Sequence, residues 1–184
     1  MFKGVQSFWL KVAGLLLPFL IVWQIGYGQD YASVRVLKGG SLTFIVNSFT
    51  KYDNGITLED WTRLRLLMVA DGQSKWELYV NSMLTNIQSD IGPPHLDLSQ
   101  IELRITVEDE NDPTYALEAQ PIVLTYDGFG YGSLIISGNN PGIVGTPLDV
   151  TLSISYDFGT NIPLLNSNPG MYFVDLEFTL TSVP

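Results

Sequence analysis

His95 is the only imidazole in the 184-residue chain, and cysteine is absent. Zinc sites of the usual nitrogen and sulfur type therefore lack ligands. A histidine-activated nucleophile would have to be built on Pro93-Pro94-His95-Leu96, a proline-rich stretch that reads as a solvated loop. No G-x-S-x-G string occurs. Carboxylates remain, and two of them at a set separation suffice for glycoside hydrolysis. No pair is marked out by spacing, and a chain so short and rich in strand patterns is not expected to enclose a deep cleft. No catalytic residue and no enzymatic activity are expected.

The densest acidic string is Glu108-Asp109-Glu110-Asn111-Asp112, closed by Pro113. Hard oxygen donors bunched on a turn can hold Ca²⁺, which makes Glu108, Asp109, Glu110 and Asp112 candidate ligands. Asp109 to Pro113 resembles the calcium-binding linker of cadherin repeats, without that motif's second asparagine. The same string also reads as a charged hairpin loop. Aromatic side chains are the other candidates. Asp127-Gly128-Phe129-Gly130-Tyr131-Gly132 is a glycine-rich loop carrying two rings. Tyr79 alternates away from the apolar set Trp76, Leu78 and Val80, so Trp76 is expected in the core. Tyr79, Phe129 and Tyr131 could together form a stacking platform for a glycan; Phe129 could equally plug one end of the core.

These residues sit in a chain of strands. Ile101 to Val107 alternates aliphatic and polar residues, as does Leu148 to Tyr156. Ser41 to Val46, Leu64 to Val69, Trp76 to Val80, Ile122 to Tyr126, Ser133 to Ile136 and Tyr172 to Leu180 add further strand-like runs. Turn formers separate them, and Asp71-Gly72 reads as a hairpin turn. Ile56 to Arg65 could hold a helical turn, with Thr57 and Asp60 as caps. Strands at this spacing predict an all-β, antiparallel sandwich.

The N-terminal part differs. Lys3 and Lys11 precede an apolar run from Val12 to Ile25, broken by Gly14 and Pro18, and Gly26-Tyr27-Gly28 follows. This order predicts a secretory signal peptide over residues 1–29, with residues 30–184 as a single β-sandwich domain. An uncleaved anchor helix is the other reading, since the run is long for a signal core. Without the leader, seven Lys and Arg face 19 Asp and Glu, a net charge of −12. Such a surface repels nucleic acid and anionic lipid. The chain is expected to be exported to the periplasm, the cell surface or the medium, and to meet a membrane only through its leader.

Asn168-Pro169-Gly170-Met171-Tyr172 and the alternating run to Leu180 resemble the closing turn and last strand of fimbrial subunits of the chaperone–usher type. Tyr31 to Leu37, before Gly39-Gly40, resembles the donor strand of that family. The likeness implies an immunoglobulin-like sandwich completed by a strand from the next subunit. It implies other copies or related subunits as partners, and a periplasmic chaperone. Val34, Val36, Val174, Leu176, Phe178 and Leu180 would then carry the strand exchange. The cysteine pair of many family members is missing. A structural or adhesive surface subunit is the function implied; the alternative is a self-contained secreted module binding a glycan or other surface ligand, with Ca²⁺ as a possible aid.

Overall fold

A computed structural model of the chain describes residues 31–70, 75–93, 95–110, 115–128, 130–143, 145–165 and 167–183. The strands are β1 (Tyr31–Lys38), β2 (Leu42–Val46), β3 (Ile56–Val69), β4 (Lys75–Ser82), β5 (Asn86–Ser89), β6 (Leu96–Asp97) and β7 (Ile101–Glu110). They continue as β8 (Ala116–Leu117), β9 (Ile122–Val123), β10 (Ser133–Gly138), β11 (Gly142–Ile143), β12 (Thr146–Phe158), β13 (Gly170–Val174) and β14 (Leu176–Val183). One short helix, α1 (Phe49–Asn54), follows β2. Among the described residues no helix is long and apolar enough to cross a membrane.

The fold is an antiparallel β-sandwich. Its large sheet has the order β1-β3-β12-β7-β9, with β11 paired to β12. Against it stand two four-stranded sheets, β14-β4-β10-β8 and β2-β13-β5-β6. These two are halves of one bent surface. β13 and β14 are separated by Asp175 alone, and the Met83 amide donates to the Asp175 carbonyl (3.0 Å) where β4 gives way to β5. A bend of this kind turns a corner while keeping the backbone bonded.

Alternation places the core. Ile101, Leu103 and Ile105 of β7, Leu64, Leu66 and Met68 of β3, and Trp76, Leu78 and Val80 of β4 are buried in one cluster that joins all three sheets. β12 is central, bonded to β3 on one side and β7 on the other. Even its polar residues Thr151, Ser153 and Ser155 are buried. Phe44, Phe158 and Tyr172 pack in series with tilted rings, their centroids 4.6 Å and 5.7 Å apart.

Several local expectations give way. Residues 56–65 form no helical turn: they belong to strand β3, Ile56 to Val69, because its apolar positions are claimed by pairing with β12. Propensity yields to tertiary context here. Asp71-Gly72 lies outside the described residues; the strands on either side of it, β3 and β4, belong to different sheets. The run Tyr172 to Leu180 is two strands in two sheets, not one. The predicted strand after Pro121 is only two residues long, Ile122–Val123.

A bulge interrupts β3. Between the pairs Leu58–Tyr156 and Thr62–Ile154, three residues, Glu59 to Trp61, oppose the single Ser155. Asp60 adopts φ 46°, a left-handed conformation that Asp tolerates better than most residues. Asp60 of the bulge is held from three sides. The Asp60 amide donates to Ser155 Oγ (2.9 Å), the Ser153 hydroxyl to Asp60 Oδ1 (3.0 Å), and the Lys38 ammonium to the Asp60 carbonyl (2.9 Å). Gly39, at φ 65°, abuts it: a Cβ there would lie 2.2 Å from the Trp61 carbonyl oxygen.

Candidate functional site

Five of the six residues expected to exchange strands lie around one seam. Among the described strands β1 is an edge strand paired with β3 alone, with Val34 opposite Leu66 and Val36 opposite Leu64. Both valines therefore point to the core side. Val34 is half-buried, but Val36 is 51 % exposed, so the core does not cover it. β14 is also an edge strand and, among the described residues, is bonded in a ladder to β4 alone. Its inward Leu176, Phe178 and Leu180 are only partly buried against the core. β14 runs beside β1 with no ladder between them, so two free strand edges meet where the layers join. Val174 sits apart: it is fully buried in β13, opposite Leu42.

The register of β1 is electrostatically awkward. Arg35 stands directly opposite Arg65, and Lys38 opposite Arg63. Like charges in direct cross-strand pairs oppose pairing. The β3 arginines turn away toward the far strands. Arg65 binds Asp149 with both ends of its guanidinium (2.8 and 2.6 Å), and this holds the Asp149 carboxyl below the usual carboxylate range. Arg63 pairs with Glu108 at 2.5 Å. Further along, Arg104 bridges Asp157 (2.7 Å) and Glu59 (3.0 Å). Burial would raise the Asp157 carboxyl, but hydrogen bonds from Arg104 and Thr57 win and lower it. No spacing in the sequence signals this network, since its members are about 50 to 100 residues apart.

The acidic string is strand rather than loop as far as Glu110. Glu108 is engaged by Arg63, Asp109 lies opposite Thr151, and Glu110 accepts from the Tyr115 phenol, whose ionisation is thereby pushed up. With Val107 and Tyr115 the three acids line an open hollow of about 240 Å³. Asp112 lies outside the described residues. Among those described, no group of three His, Cys, Asp or Glu is placed to hold a metal ion. His95 is exposed.

Two of the three proposed ring residues come together. Tyr79 and Tyr131 stack with centroids 5.1 Å apart and planes at 28°. The Tyr79 hydroxyl donates to Glu77 Oε2 (2.5 Å). That bond, with desolvation and the nearby Glu77 and Glu118 charges, pushes the Tyr79 phenol up to about 12. Tyr131 is 51 % exposed. Phe129 lies outside the described residues. Trp76 is core, as its alternation predicts. Compared with known proteins, the chain matches no family model and no characterised protein by sequence.

Proposed function

We propose that this chain is an exported structural or adhesive surface subunit that assembles with further copies by donating strand β1. The observation that carries the reading is the seam between two free edges: a half-covered β1, opposed by like charges, beside the partly buried Leu176, Phe178 and Leu180 of β14. Residues 31–38 of a second copy would take the place of β1 against β3, keeping Val34 on Leu66 and Val36 on Leu64. Each copy gives one strand and accepts another, so the contact is head-to-tail and propagates. A vacated seam would expose unpaired backbone and apolar side chains, which is the reason a chaperone would be needed before assembly.

The test is the mass in solution of the full chain beside the double variant Val34→Asp, Val36→Asp. The wild type is expected to form heat- and detergent-resistant oligomers, and the variant to stay monomeric with an unchanged strand signature by circular dichroism. A wild type that remains monomeric up to millimolar concentration would show that β1 closes its own sandwich, and the reading would fall.

A further inference from the structure

A separate feature lies on the outward face of β4. By register Tyr79 stands between Thr179 of β14 and Leu134 of β10, and Glu77 between Thr181 and Ser137. Glu177 lies on the same face of β14, opposite Asn81. Glu118 adjoins from the β8 side, where its amide donates to the Ile135 carbonyl (3.1 Å). Tyr131 is stacked on Tyr79 and half exposed. The shelf thus combines an aromatic pair with three carboxylates.

Among the described residues no cation pairs with these carboxylates. The described ion pairs, made by Arg63, Arg65 and Arg104, all lie on the large sheet. Glu77, Glu118 and Glu177 make none with a described residue. Lys75 is the cation nearest by register, two positions beyond Glu77 at the end of β4, opposite Val183. The faces of aromatic rings carry negative potential, and carboxylates add to it. A neutral sugar would gain from the rings but has no need of three uncompensated carboxylates. A guanidinium uses both: it is planar, stacks on a ring face, and donates to carboxylates at its rim.

We propose that the Tyr79–Tyr131 shelf, rimmed by Glu77, Glu118 and Glu177, docks an arginine side chain on a basic segment of a partner protein. Charge complementarity selects the occupant. The openness of the shelf selects a side chain delivered on a longer segment over a free small cation, because an exposed ring alone holds a cation weakly. The inference does not depend on strand donation, since β1 lies at the other sheet.

The probe is a fluorescein-labelled peptide alternating arginine with serine, titrated against the full chain in about 150 mM salt, where diffuse attraction to an acidic surface is largely screened. A peptide with glutamine in place of arginine and a neutral chito-oligosaccharide are run beside it. Specific binding of the arginine peptide is expected, weakened about three- to five-fold by Tyr131→Ala and kept within about twofold by Tyr131→Phe, which retains the ring. Glu102→Gln, on the opposite sheet, controls for overall acidity and is expected to leave binding unchanged. Circular dichroism confirms that each variant is folded. Equal binding by wild type and Tyr131→Ala, no binding of the arginine peptide, or preference for the oligosaccharide would each overturn the proposal.

Discussion

Replacing Arg35 with glutamate should tighten strand β1 onto β3. Arg35 is exposed and sits directly across from Arg65, whose guanidinium is committed to Asp149 at 2.8 and 2.6 Å. Side chains in direct cross-strand register lie about 5 Å apart at Cβ, and such charge pairs contribute about 0.2–1 kcal/mol each. Arg35→Glu removes a repulsion and adds an attraction, so the swing is about 1 kcal/mol at this exposed position. About 1 kcal/mol is roughly a fivefold change in an opening equilibrium. Local opening is read by amide exchange, because edge strands exchange through fluctuations smaller than global unfolding. The β1 and β3 amides that bond to each other should exchange about fivefold more slowly in the variant, while those between β12 and β7 stay unchanged. Arg35→Gln should fall between. If β1 amides exchange at the wild-type rate or faster in Arg35→Glu, the cross-strand repulsion is not what loosens β1. The same variant should also assemble more slowly if donation requires β1 to leave.

The other expectations concern the core, the phenol and the carboxylates. Trp76→Ala empties the centre of the core and should cost about 3–5 kcal/mol in a urea melt, against no more than about 0.5 kcal/mol for Thr181→Ala on the outer face of the neighbouring β14. Tyr79, with its phenol pushed up to about 12, should ionise well above the ordinary tyrosine value in an ultraviolet titration, and Glu77→Gln should bring it earlier. Because that value is raised on folding, its contribution to stability is full below the ordinary tyrosine value near 10 and is lost as pH climbs toward about 12. Asp149 has its value lowered by Arg65, so its contribution is present above the ordinary carboxylate value near 3.9 and disappears as pH falls through the lower folded value; Asp149→Asn should remove about 0.5 kcal/mol at neutral pH and flatten the acid limb of stability measured by urea midpoint.

Period-two patterning carried most of the fold. In β7 the aliphatics Ile101, Leu103 and Ile105 are core and Arg104 and Thr106 are surface, because one face of the strand meets the sandwich interior and the other meets solvent. Where a strand changes sheets the pattern is silent. Tyr172, Val174, Leu176 and Phe178 keep the same parity across Asp175, so the break between β13 and β14 leaves no trace in the residues. The bulge in β3 misleads in another way. Thr57 and Asp60 are residue types that cap helices, and the same short oxygen-bearing side chains also meet the polar groups of an irregular strand. The candidate sites were legible only as parts. Tyr79 and Tyr131 each stood out, one by alternation and one by its glycine-rich loop, but nothing local says that their rings stack. The opposition of Arg35 to Arg65 depends on a register set by apolar burial elsewhere along β1 and β3.

The placement of the two edge strands has a mechanical consequence. Tyr31 opposes Val69 and Val183 opposes Lys75, so the outer ends of β1 and β14 flank the same crossing from β3 to β4. Tension applied between Tyr31 and Val183 would pull both strands from one end of the molecule. Their ladder bonds would then be loaded singly, as in a zipper, instead of all together in shear. A lone copy should yield at low force by shedding β1 and β14, while β3, β12 and β7 stay bonded behind them.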